Sequence, residues 1–225
     1  MLLLACATEM ELQGLPERVR RDPSVCCLVT GVGPVETALR LTNHLSRPRV
    51  APNALLNFGV GGAYPSTGLG LLDICLAESE VLGDLGVACA VGIQPLPEAV
   101  RPPGHFGVDP RLLVEAVAAL KMSGRQARRG PFVTVCCGSG TDQRGRLLRD
   151  AYSGICENME GAAVARVCSF FDIPFLELRC ISNMVEDRDT SSWRLQEAAI
   201  KGGHVAGLLA MRLLTDQNSG PANLP

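Results

Sequence analysis

The chain has no apolar run approaching the roughly 20 residues that a membrane-spanning helix requires. Its start, Met1 to Ala7, is apolar but too short for a signal peptide, and Glu9 and Glu11 come directly after it. Aromatic residues make up only 4% of the sequence, fewer than a base-stacking surface would use. Charge of either sign is not in excess: the net charge is −2, with acids and bases interspersed, so nothing favours nucleic acid or an anionic membrane. There is no Cys-x-x-Cys, and the three histidines, His44, His105 and His204, are scattered. No metal site and no cofactor are expected from such a set. Internal repeats are lacking as well.

Cysteine, in contrast, is plentiful, with ten residues. Cys26-Cys27 and Cys136-Cys137 are adjacent pairs whose side chains would alternate across a strand. Cys6, Cys75 and Cys180 lie inside apolar runs, where a free thiol behaves as a small hydrophobe. The expectation is reduced, buried thiols in a cytoplasmic protein.

At 225 residues the chain suits one compact α/β domain. Apolar runs predict strands over Leu2–Cys6, Cys26–Thr30, Ala54–Phe58, Leu72–Leu82, Phe132–Cys136 and Phe175–Ile181. Helices are predicted from Pro34 to Leu45, Pro110 to Leu120, Thr141 to Tyr152, Met159 to Phe171 and Arg194 to Leu214. The stretch from Gly92 to Gly107 reads as a long loop, and Gly59-Val60-Gly61-Gly62 as a turn after its strand. This alternation predicts a single-domain, three-layer α/β/α fold with a central mixed β-sheet over residues 1–215. Residues 216–225 are expected to form a flexible tail.

Two breaks in this pattern carry chemistry. After an apolar run, Arg179-Cys180-Ile181-Ser182-Asn183 puts a Ser-Asn pair where a buried strand should end. About twenty residues earlier, Glu157-Asn158-Met159-Glu160-Gly161 turns a strand into a helix. A carboxylate and a carboxamide thereby meet at adjoining strand ends, where open α/β sheets build ligand sites. Gly31-Val32-Gly33 lacks the third glycine of a dinucleotide fingerprint, since Glu36 stands there. It is either a tight turn or, with Gly59 to Gly62, a place where backbone amides approach a sugar or anion. Glu9 and Glu11 are either an exposed pair or the source of a general base. Glu160 either favours a helix N-terminus or holds a vicinal diol. Asn183 would equally suit a turn, and Arg188 with Asp189 a surface ion pair.

Four segments in register resemble the nucleoside phosphorylase and nucleosidase family. They are Ala7-Thr8-Glu9-Met10-Glu11, Asn57-Phe58-Gly59-Val60-Gly61-Gly62, Asn158-Met159-Glu160-Gly161-Ala162-Ala163 and Arg179-Cys180-Ile181-Ser182-Asn183. Within that family, Ser182-Asn183-x-Val185-x-x-Arg188-Asp189-x-x-x-Trp193 is most similar to the branch that hydrolyses futalosine in menaquinone biosynthesis. The resemblance implies a nucleosidase and a homo-oligomer, with a nucleoside as substrate. It assigns Glu11 to water activation, Met159 to the underside of the ribose and Glu160 to the 2′- and 3′-hydroxyls. Asn183 takes the place of an aspartate found in adenine-directed relatives. Val60, Gly61, Ser139, Asn158 and Ser182 complete the expected substrate contacts. Arg188 and Trp193 are candidates for the carboxylated aromatic 5′ extension, as is a neighbouring subunit's loop around His105 and Phe106.

Two departures decide the expected chemistry. An amide at Asn183 offers both donor and acceptor to O6 and N7 of a 6-oxopurine, whereas an ionised aspartate could not donate to O6. Hypoxanthine is therefore the expected leaving base. Asn57 stands where hexameric phosphorylases carry a phosphate-binding arginine, and Val60 replaces a small polar residue. Water, not phosphate, is then the expected nucleophile.

Overall fold

The computed structural model describes residues 1–47, 51–89 and 92–217. In chain order the first half runs β1 (Leu2–Cys6), α1 (Glu9–Gln13), α2 (Glu17–Arg20), β2 (Val25–Val29), α3 (Pro34–Leu45), β3 (Ala54–Ala63) and β4 (Ile74–Leu82). Next come β5 (Val87–Cys89), β6 (Gly92–Gln94), β7 (His105–Gly107), α4 (Pro110–Met122) and β8 (Arg128–Thr134). The chain continues with α5 (Asp142–Tyr152), β9 (Cys156–Asn158), α6 (Gly161–Phe170), β10 (Phe175–Met184) and α7 (Leu195–Gln217).

The sheet is mixed, in the order β10-β4-β8-β9-β3-β1-β2, with β7 added to β4. Because β10 also pairs with β3, five of these strands close on themselves as a ring, from which β1 and β2 extend. Strand β3 is central: it runs parallel to β1 and β10 and antiparallel to β9. Alternate residues of β1 and β3 fall into two apolar clusters. Leu2, Leu4, Leu56 and Phe58 pack with Ala206 and Leu209 of α7, and Leu3 and Leu55 with Val164 and Cys168 of α6. This alternation is the two-residue period of a strand covered on both faces.

Several local expectations are corrected. Gly59 to Gly62 is not a turn but the last part of β3, since β9 and β10 flank it and satisfy its backbone. The glycines answer to close approach: a Cβ at Gly59 would sit 2.5 Å from Glu11 Oε1, and one at Gly61 2.5 Å from Cys156 Sγ. The 92–107 segment holds β6, a 3-10 turn at Glu98–Val100 and β7. The strand expected at Phe132–Cys136 comes earlier, as β8, and Cys136-Cys137 lies beyond it in exposed loop. Helices α1 and α2 escape a reading by periodicity, being too short to show a helical period. Of the ten cysteines, all free, Cys6, Cys75, Cys156, Cys168 and Cys180 are buried, whereas Cys89, Cys136 and Cys137 are exposed. Helix α7 continues to Gln217; the rest of the expected tail lies outside the described residues.

Candidate active site

One cavity of about 300 Å³ opens where β3, β9 and β10 end. Every residue singled out for substrate contact lines it: Glu11, Val60, Gly61, Ser139, Asn158, Met159, Glu160, Ser182, Asn183, Arg188 and Trp193. The segment around His105 and Phe106 does not reach it within this chain, because β7 is paired with β4 and lines a separate hollow.

Glu11 is delivered by the sharp turn from β1 into α1. Thr8 caps that helix and accepts from the Glu11 N–H, while its own N–H and hydroxyl donate to Glu11 Oε2, both at 2.9 Å. Across the cleft the Val60 N–H donates to Glu11 Oε1 at 3.0 Å. Glu11 is 3% exposed, whereas its neighbour Glu9 points to solvent. The acidic pair is therefore split, with one member locked under the cavity.

Glu160 precedes α6 without capping it. Its Oε1 accepts from the Gly33 N–H at 3.0 Å, and its Oε2 from Arg179 Nη1 at 3.2 Å. The Gly31-Val32-Gly33 turn, with φ of +82° and +89° at its glycines, thus brings a backbone amide to this carboxylate. Asn158, on β9, is a hub. Its Oδ1 accepts from the Glu160 and Gly161 N–H groups at 2.9 and 2.7 Å, and its Nδ2 donates to Glu80 at 2.6 Å. Asn183 is no turn residue but part of β10; its Oδ1 accepts from Ser182 Oγ at 2.8 Å and its Nδ2 donates to the Met184 carbonyl. Each amide atom keeps one hydrogen-bonding position for a ligand. Arg188 and Asp189 are not paired with each other: the Arg188 guanidinium lies 5.2 Å from the Trp193 ring centre, and Asp189 caps the next 3-10 turn through the Ser191 N–H.

Sequence reasoning missed what lies underneath. Arg179 is 2% exposed, donates to Glu177 Oε1 at 2.8 Å, to the Val60 carbonyl at 3.1 Å and to Glu160, and is the centre of a buried ionic network. Burial opposes its charge, but Glu177, Glu160 and Glu11 together hold the guanidinium above its usual range. Burial also pushes the Glu80 carboxyl well above the carboxylate range, with Glu177 beside it adding to the rise. Glu177 Oε2 has no hydrogen-bond partner, and burial raises the Glu177 carboxyl as well. Asn57 belongs to this layer: its amide donates to Glu177 at 3.1 Å, and it does not line the cavity. A signal was available in Phe175-Leu176-Glu177-Leu178-Arg179-Cys180-Ile181, where two charges stand at alternate positions of an apolar strand. Side chains so placed share a face and are seldom buried unless paired. Among the described residues no cluster of His, Cys, Asp or Glu could hold a metal ion.

The closed ring of strands with its buried carboxylates at the strand ends places the chain in a known class. It belongs to the phosphorylase superfamily, whose family model matches residues 21–215. The chain is 35% identical to the futalosine hydrolase of Thermus thermophilus, over 76% of this chain and 74% of that one. It is 31% identical to the 5′-methylthioadenosine/S-adenosylhomocysteine nucleosidase of Geobacillus thermodenitrificans, over 85% and 79% of the two chains. The native structure of futalosine hydrolase from Helicobacter pylori superposes with a TM-score of 0.81 at 17% identity, covering 93% of this chain and 97% of that one, and so shares the fold.

Proposed function

We propose that this chain hydrolyses the N-glycosidic bond of futalosine, releasing hypoxanthine and dehypoxanthine futalosine, a step of menaquinone biosynthesis. The observation that carries the reading is the pairing of a buried Glu11 carboxylate with an Asn183 amide in one cavity. Glu11 accepts a proton from water as the water oxygen bonds to C1′. The C1′–N9 electron pair leaves with the base, and Asn183, facing O6 and N7, shares the charge that accumulates there. Glu160 holds the ribose hydroxyls, with Met159 beneath the ring. Displacement by water from the face opposite the base inverts C1′, as in inverting glycoside hydrolysis.

The charge balance supports water over phosphate. Three carboxylates, Glu11, Glu157 and Glu160, line the cavity, and Arg179 is already engaged by Glu177 and Glu160. A phosphate dianion would meet net negative charge, whereas a positive ribosyl carbon is favoured by it. Arg188 stacked on Trp193 at the cavity edge suits a carboxylated aromatic group at the 5′ end. A cytoplasmic homo-oligomer is part of the same proposal, drawn from the resemblance; among the described residues no helix is long and apolar enough to cross a membrane.

A second reading is a purine nucleosidase or phosphorylase acting on inosine, guanosine or methylthioadenosine, the last of which the methylthioadenosine/S-adenosylhomocysteine nucleosidase relative favours. The test is base release by the purified protein in phosphate-free buffer from futalosine, inosine and methylthioadenosine in parallel. Rapid hypoxanthine release from futalosine alone supports the proposal. Preference for inosine, especially with added phosphate, moves the enzyme to salvage, and preference for methylthioadenosine overturns the role of Asn183. Glu11→Gln is expected to abolish turnover while ligand binding survives.

A further inference from the structure

Gly62 is paired on one side with Glu157 of β9 and on the other with Asn183 of β10. Residues opposed in a sheet project to the same face, so both polar side chains leave the sheet on the Gly62 side. With strands about 4.8 Å apart, their Cα atoms stand roughly 10 Å from each other. Only glycine occupies the register between them: a Cβ there would sit 3.1 Å from Asn183 Nδ2 and 2.8 Å from Val185 Cγ2. Both side chains line the cavity, and so does Gly62 between them.

Glu157 is 7% exposed, and its hydrogen-bond partners are all neutral. The Ser139 N–H donates to Oε1 at 2.7 Å, while Ser139 Oγ and the Tyr64 hydroxyl donate to Oε2 at 2.6 and 3.0 Å. A carboxylate has about four acceptor positions, so one remains, on Oε1. A departing 6-oxopurine, protonated at N7, presents three groups along this edge: N7–H as a donor, O6 as an acceptor and N1–H as a donor. Asn183 can answer only the first two.

We infer that Glu157 is the second purine-reading residue of this site, accepting the N1–H of a 6-oxopurine across the Gly62 floor from Asn183. The inference rests on the proposed function and deepens it. A 6-aminopurine has a bare lone pair at N1, which would face a carboxylate with no proton between them. Its exclusion then comes from two positions and not from Asn183 alone. The competing role for Glu157 is purely mechanical, as a clamp on the Gly138-Ser139-Gly140 loop. Loss of a clamp weakens both bases alike; loss of a reader changes their ratio.

The test is calorimetric binding of hypoxanthine and adenine, with turnover of futalosine and its 6-amino counterpart, for wild type, Glu157→Gln and Tyr64→Phe. A glutamine amide can turn its N–H toward adenine N1, so the preference for hypoxanthine is expected to fall by about a hundredfold or more. Tyr64→Phe removes a donor to Oε2 only, and is expected to keep the wild-type ratio. An unchanged ratio in Glu157→Gln, with both affinities lowered together, overturns the inference and leaves the clamp. Should that variant not fold, 1-methylhypoxanthine takes its place: wild type is expected to reject it, and binding equal to hypoxanthine overturns the inference. Failure of wild type to cleave futalosine would refute the proposed function, while the free-base ratio would still decide the role of Glu157.

Discussion

Replacing Gly59 by alanine tests the placement of Glu11 without touching Glu11 itself. The new Cβ would sit 2.5 Å from Glu11 Oε1 and 2.9 Å from Arg179 Nη1, both well inside van der Waals contact. Neither atom belongs to rigid backbone, so the side chains give way and the fold survives. Overpacking of this kind costs about 1–3 kcal/mol, which for a chain of this size lowers Tm by roughly 2–12 °C. The catalytic penalty is larger. Glu11 cannot retreat without losing the Val60 N–H that positions Oε1, and a displaced general base forfeits on the order of 10²–10⁴-fold in rate. Hypoxanthine release and thermal denaturation would be measured on Gly59→Ala beside Gly107→Ala, whose added Cβ meets nothing within 4 Å. A Gly59→Ala enzyme with the expected loss of Tm but near wild-type kcat would refute Glu11 as the base.

The buried network and the thiols give three further expected outcomes. Arg179→Met leaves Glu177 and Glu160 buried without their cation; breaking such a pair costs about 3–5 kcal/mol, a Tm drop of roughly 6–20 °C by differential scanning calorimetry. The raised folded-state pKa of Glu80 stabilises the fold fully below the ordinary glutamate value, and that contribution is lost as pH rises through the folded value. Glu80→Gln, which mimics the protonated acid, should therefore flatten the decline of Tm with pH above about 4.5, and an unchanged slope would refute the raised Glu80 carboxyl. A thiol reagent applied to the native protein should label Cys89, Cys136 and Cys137 rapidly, with Cys6, Cys75, Cys156, Cys168 and Cys180 reacting only on unfolding, as mass spectrometry of the labelled peptides would show.

The parts of the site legible in the sequence are those that break a local rule. Asn183 interrupts a buried strand, Glu160 stands at a strand-to-helix junction, and Glu11 comes too soon after an apolar run for an ordinary loop. The parts that were illegible obey no local rule. Arg179 and Glu177 sit two residues apart in an apolar strand, and only the packing of α6 over β10 shows that they pair with Glu160 and are sealed from water. Glu157 reads as one more polar residue before Asn158 until the register sets it opposite Gly62.

By itself, then, the sequence determined the alternation of strands and helices, the mixed α/β class and the strand ends at which Glu160 and Asn183 stand. Those are set by the spacing of apolar side chains, which acts within a few residues along the chain. The closure of five strands into a ring, the conversion of the Gly59–Gly62 segment from turn to strand, and the exposure of three cysteines were decided only in the tertiary structure. The physical reason is common to all three. Strand pairing and burial depend on which distant segment arrives alongside, and β3 meets β9 and β10 across about a hundred residues of chain whose approach no local pattern encodes.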